Sequence, residues 1–251
     1  IMHPSSGSVH VMGYVPWLDR KNYVSKIGAI FGQKSQLFFD IPPIDAFYLN
    51  KAIYQIPDAD FHHNLNKMAD LLKVQHVMKK PTRLLSLGER MKCEFIMSML
   101  HSPKIVFLDE PTIGLDVSAK EKIREFILEM NKSGVTFILT THDLGDVEHL
   151  AKRVIFINNG EIVFDNSLQS LKKHLGTIQQ ISLSTAGLLP DLNLSGINIT
   201  NKVSDYEVEI ELNYDIMNLD NFINYINKTS SIRDMFIKDL PIEKIVLDLY
   251  K

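Results

Sequence analysis

The chain has 251 residues, 45% of them apolar, enough for one core of ordinary size with a small appended domain. A formal net charge of -3 argues against a nucleic-acid binder held by a strong positive field, and the single cysteine, Cys93, excludes an intrachain disulfide framework and a cysteine-based zinc site. No run approaches the roughly 20 apolar residues of a membrane-spanning helix, and the start, Ile1-Met2-His3-Pro4, lacks a basic region followed by an apolar one, so any work at a membrane needs a partner that supplies the membrane part.

Residues 8–13 (SVHVMG) read as a short strand and residues 27–31 as another. From residue 45 to 74 the pattern is helical, broken by Pro42-Pro43 and by Ile56-Pro57-Asp58. Ser86 is an N-cap candidate with Glu89 three residues on, opening a helix to about residue 100. Cys93 lies in its apolar stretch and reads as core filler. An alternating section follows: a strand at 105–108, an amphipathic helix at 118–130 closed by Ser133-Gly134, a β-branched strand at 135–140, and a helix at 144–151. Strands at 154–157 and 161–164 flank Asn158-Asn159-Gly160, a hairpin signal. A short helix at 168–175 ends this part. Apolar strands between helices predict an α/β fold with a mostly parallel sheet covered on both faces. After Gly176 the texture changes: a strand at 206–212, a helix at 219–227, a strand at 232–238 and a helix at 242–250 predict a small α+β unit over 178–251.

Four segments carry chemistry. In IVFLDEPTIGLD (105–116) an apolar strand delivers Asp109 and Glu110 at its C-terminal end, where ligands sit in an open α/β sheet. Adjacent carboxylates there suit nucleoside-triphosphate hydrolysis: Asp109 for the shell of a magnesium ion, Glu110 for orienting or deprotonating the attacking water. In LSLGERMK (85–92), Ser86 and Gly88 at a helix start offer amides to phosphate, although an N-cap with a closely packed glycine explains them equally well when taken alone. In FILTTHD (137–143) a strand ends in His142, placed to reach a γ-phosphate. In FGQKSQL (31–37), Gln33 is a neutral group able to ligate magnesium or bond the water, with Gln36 as its local competitor.

Together these segments resemble the transmission glutamine, signature, Walker B strand and switch histidine of ABC-type ATPases. The family signature LSGGQ stands here as Leu85-Ser86-Leu87-Gly88-Glu89, with Leu87 and Glu89 as departures, and Asp116 falls on the family's D-loop aspartate. The resemblance covers residues 1–175, and SGSVHVMGYVPW followed by IGAIFGQKSQLFFD is similar to ABC-2 exporters of the multidrug, daunorubicin or viologen type. It implies a P-loop NTPase fold with a helical subdomain at about 45–100, ATP and Mg2+ as ligands, and an ATP-hydrolysing subunit of a transporter. It further implies two such subunits facing head to tail on a membrane permease, at the cytoplasmic face of the plasma membrane. Gln33, Asp109, Glu110 and His142 would act on the chain's own nucleotide; Ser86, Gly88, Glu89 and Asp116 would act across the interface.

The phosphate loop, G-x-x-x-x-G-K-[ST], is absent from these 251 residues. In the family, segments resembling residues 1–8 follow that loop, so the resemblance places it upstream of residue 1, with the first strands and an adenine-stacking aromatic. Two other readings stand beside the transporter: a non-enzymatic remnant with an interaction role, and a soluble ABC ATPase of translation or DNA maintenance. The single cassette and the lack of heptad runs count against the last.

Overall fold

A computed structural model describes residues 3–32, 34–174 and 178–239. They fall into two compact units, Ile1–Leu150 and Ala151–Lys251.

The first unit is built on three parallel strands, β1 (Ile27–Phe31), β2 (Ile105–Asp109) and β3 (Thr136–Thr140), in the spatial order β1-β2-β3. Parallel neighbours need long crossovers. The first carries α2 (Pro43–Tyr54), α3 (Asp58–Leu72), a 3-10 turn (Thr82–Leu84) and α4 (Leu87–Met99); the second carries α5 (Val117–Lys132). A short α1 (Arg20–Val24) precedes β1, and α6 (Leu144–Leu150) follows β3. The proline breaks act as expected: Pro43 occupies the first turn of α2, and Pro57 is the N-cap of α3. Phe47, Phe61, Leu72, Phe95, Ile96, Ile123 and Phe126 form the buried centre, and the Phe95 and Phe126 rings meet edge-on at 5.7 Å, tying α4 to α5.

Two expectations need correction here. Residues 8–13 form no strand: Met12 and Gly13 both take positive φ, and the chain doubles back in a tight turn bridged only by Val11 and Tyr14. A strand needs a neighbour to satisfy its backbone, and none of the described residues supplies one beyond that bridge. The expected coverage of both sheet faces thins at β3, where Thr136, Ile138 and Thr140 are exposed.

The second unit starts with a hairpin of β4 (Arg153–Asn158) and β5 (Glu161–Ser167), turned by Asn159-Gly160, both at positive φ. α7 (Leu168–His174) follows. Strand β4 pairs with β5 and with neither β1 nor β3, and the compact units divide at Leu150. A four-stranded antiparallel sheet comes next: β6 (Ile178–Thr185), β7 (Ile197–Lys202), β8 (Glu207–Asn213) and β9 (Ile232–Asp239), ordered β7-β8-β6-β9. One face packs on α8 (Leu219–Asn227), with Ile181, Leu183, Val208, Ile210, Leu212, Phe222 and Ile226 buried. The expected α+β character holds. The helix expected at 242–250 lies outside the described residues. Among those described, no helix is long and apolar enough to cross a membrane.

Replacing Phe95 with Ala removes the ring that joins α4 to α5. It is expected to cost about 3–5 kcal/mol, read as a lowered midpoint in chemical denaturation of the chain.

Candidate functional site

The three strands of the first unit pair in register, so Phe31, Asp109 and Thr140 stand side by side at their C-terminal ends. The pairing runs one residue past the strands: Gly32 N donates to Asp109 O at 2.8 Å, and Glu110 N donates to Thr140 O at 2.9 Å. Thr140 Oγ1 donates to Asp109 Oδ1 at 2.6 Å, fixing that carboxylate. Glu110 then takes φ 49°, a left-handed conformation that a non-glycine residue holds only where its surroundings impose it. Its Oε1 accepts the His142 backbone N–H at 3.1 Å and lies 2.8 Å from His142 Nδ1. Asp109 and Glu110 from one segment and His142 from another therefore converge at the C-terminal ends of the strands.

Gly32 closes this corner. A Cβ on it would stand 2.0 Å from the Glu110 carbonyl oxygen, so the loop after β1 approaches the Asp109-Glu110 backbone as only glycine permits.

A second group gathers where the starts of α4 and α5 meet. Ser86 and Glu89 form a complete capping box: Glu89 N donates to Ser86 Oγ at 3.2 Å, and Ser86 N donates to Glu89 Oε2 at 2.9 Å. The Ser86 amide holds the Glu89 carboxyl below its usual range. Gly88 is buried, and a Cβ there would meet Ala119 Cβ at 2.8 Å. Asp116 caps α5, its Oδ1 accepting from Ala119 N at 2.8 Å.

A family model described as "AAA domain, putative AbiEii toxin, Type IV TA system" matches residues 35–145. The chain is 29% identical over 160 residues to ABC transporter G family member 20 of Dictyostelium discoideum, covering 64% of this chain and 22% of that protein. It is 25% identical over 171 residues to the ABC transporter ATP-binding protein NatA of Bacillus subtilis, covering 68% of this chain and 70% of that one. A solved structure described as "Structure of ATP binding subunit of ABC transporter" superposes with a TM-score of 0.63 at 20% identity, over 70% of this chain and 72% of that chain. The chain is a homologue of ABC-transporter ATP-binding subunits. Its α/β fold with a helical subdomain is the ABC-ATPase architecture. It spans about a fifth of the Dictyostelium relative and a little over two thirds of NatA.

Of the residues expected to act on the chain's own nucleotide, Asp109, Glu110 and His142 are brought together, whereas Gln33 lies outside the described residues. Its competitor Gln36 is occupied locally, its Nε2 donating to Ala29 O at 2.6 Å. Ser86, Gly88, Glu89 and Asp116 cluster, and each already has a structural task as cap or close packer. Among the described residues, no group of three or more His, Cys, Asp or Glu side chains is arranged to hold a metal. Magnesium does not require one: it keeps most of its water and binds through one or two carboxylates plus phosphate, which Asp109 suits.

One residue of α4 that the sequence motifs do not single out joins this site to its neighbours. Glu94, 4% exposed, reaches from α4 to the loop after β1. Its Oε1 accepts from Ser35 Oγ, from Gln36 N at 2.9 Å and from Leu37 N at 3.3 Å. Residues 35–37 are thereby fastened to the helix that opens at Ser86. An acidic residue on the buried face of an apolar helix was the available signal. Cys93 beside it is fully buried, and burial pushes its thiol up to about 12.

Burial raises the Glu94 pKa above its ordinary 4.5, outweighing the bonds from Ser35, Leu37 and Gln36. A carboxyl whose folded pKa is raised gives most stability below the unfolded value and loses it as pH climbs through the folded one. Glu94→Gln is therefore expected to flatten the decline in stability from pH 4.5 upward, measured as denaturation midpoints across a pH series.

Proposed function

We propose that the chain belongs to the nucleotide-binding subunit of an ABC-2 type exporter, and that the full subunit binds and hydrolyses ATP to drive a membrane permease. The observation that carries this is the Glu110–His142 contact, 2.8 Å between Oε1 and Nδ1, at the C-terminal ends of adjacent parallel strands with Asp109 alongside. Homology to ABC-transporter ATP-binding subunits supports it; the exporter subclass rests on the resemblance of the segments around residues 8–40.

In this reading Glu110 accepts a proton from the water that attacks the γ-phosphate. His142, bonded to Glu110 through its backbone amide and Nδ1, would hold Glu110 in place and present its other ring nitrogen to that phosphate. Asp109, oriented by Thr140, would hold Mg2+, which supplies charge neutralisation of the phosphates when bound. Gln33 would sense the same nucleotide from the loop after β1. Ser86, Gly88, Glu89 and Asp116 would act on the nucleotide of a second copy facing head to tail. Closure of the two copies around ATP and reopening after hydrolysis would move the permease, contacted through residues 45–100. The working protein is then peripheral, on the cytoplasmic face of the plasma membrane. Residues 1–175 form the ATPase domain in this reading, so the β4–β5 hairpin belongs to it functionally, and residues 178–251 are accessory.

Hydrolysis and grip are separable. The chain holds Asp109, Glu110 and His142 but no Gly-x-x-x-x-Gly-Lys-Ser/Thr run, whose amides and lysine cradle phosphates. That absence favours a second reading, a non-enzymatic relative of the fold with an interaction role. Two measurements decide. In membranes carrying the native transporter complex, Glu110→Gln is expected to lower ATP turnover by about 10²–10⁴-fold while labelled ATP still binds; retained turnover removes Glu110 as the base. The 251-residue chain alone is expected to show no micromolar ATP affinity in an equilibrium titration. Tight binding would overturn that expectation, and a native complex without turnover would leave the second reading.

A further inference from the structure

Behind the exposed Glu110–His142 contact lies a dry polar cluster. Asp146, on α6, is fully buried, and Thr112 and Arg124 are 2% and 9% exposed. Thr112 Oγ1 donates to Asp146 Oδ2. Arg124, on α5, grips Asp146 Oδ1 through Nε at 2.8 Å and Nη2 at 2.7 Å. Lys120, one turn earlier on α5, donates to Asp143 Oδ2 at 2.5 Å, and Asp143 Oδ1 accepts from Gly145 N at 2.9 Å.

These bonds join three segments: the turn that leaves Glu110, the helix that Asp116 caps, and the stretch that follows His142. Thr112 stands two residues beyond Glu110, and Asp143 is the next residue after His142. The contact they bracket is itself in water, since the His142 side chain is 73% exposed. An exposed charged contact of this kind holds little by itself. A buried, doubly gripped carboxylate holds a fixed geometry, because breaking it strands charge away from water.

We infer that Asp146, clamped between Thr112 and Arg124, is a positioning residue that sets the distance between Glu110 and His142. The inference rests on the hydrolytic reading of that pair. Thr112 and Arg124 are both buried and bonded to Asp146, so their loss is expected to act on the alignment of Glu110 with the water and to leave nucleotide affinity intact. Thr112 offers the cleanest perturbation, because Val keeps its shape and removes only the hydroxyl, while Ser keeps the hydroxyl.

In the native transporter complex, Thr112→Val is expected to lower kcat about tenfold to a hundredfold, the scale on which small misplacements act. KM for ATP stays unchanged, and the amide of His142, which bonds Glu110, exchanges with solvent faster. Thr112→Ser is expected to restore both kcat and exchange. Arg124→Lys, which keeps the charge but not the two-pronged grip, is expected to behave like Thr112→Val. Equal losses in Thr112→Val and Thr112→Ser, or a Thr112→Val protein with native kcat and native exchange, would overturn the inference. If the native complex shows no turnover, the hydrolytic reading falls. The exchange arm then still decides the positioning: faster His142 exchange in Thr112→Val alone supports it, and unchanged exchange refutes it.

Discussion

Everything at the candidate site depends on three parallel strands ending level. The in-register pairing of β1, β2 and β3 sets Phe31, Asp109 and Thr140 abreast, and two further backbone bonds extend that alignment to Gly32 and Glu110. A slip of one residue would turn Asp109 to the opposite face of the sheet and carry Glu110 away from His142. The buried side of the strands, with Ile30, Val106 and Leu108 against α4 and α5, makes such a slip costly. Chemistry at the strand ends is thus paired with packing along their length.

The helices then serve as rigid connectors. α4 runs from the capping box at Ser86 to Glu94, which holds residues 35–37. α5 runs from its cap at Asp116 to Arg124, which holds Asp146. Each helix therefore starts at a residue expected to face a second copy and, two turns on, grips a loop of the chain's own site. Gly88 against Ala119 brings the two starts together.

The sequence disclosed what local patterning encodes. The strand with Asp109 and Glu110, the capping box, the Asn159-Gly160 turn and the proline breaks were legible because each rests on a short-range preference. Residues 8–13 misled for the same reason: alternation suggested a strand, but strands are completed by neighbours. Strand β6 is central to its sheet, yet Ile178-Gln179-Gln180-Ile181-Ser182-Leu183 carries few β-branched residues and starts without apolar-polar alternation. The pairings of Glu94 with residues 35–37, and of Thr112 with Asp146, span tens of positions along the chain and leave no periodic trace. Gly88 was legible as special, but whether it bares an amide or admits Ala119 is settled only by the neighbouring helix.

Cys93 offers a practical consequence. These 251 residues carry a single thiol, and it lies on the buried face of α4 with its ionisation suppressed, so the nucleophilic thiolate scarcely forms at neutral pH. The folded protein is in effect already a blank background for site-directed labelling. A cysteine introduced at exposed Val117 would take a spin or fluorescent label selectively, and two copies approaching each other would report their separation directly, with no need to remove the native residue from a tightly packed core.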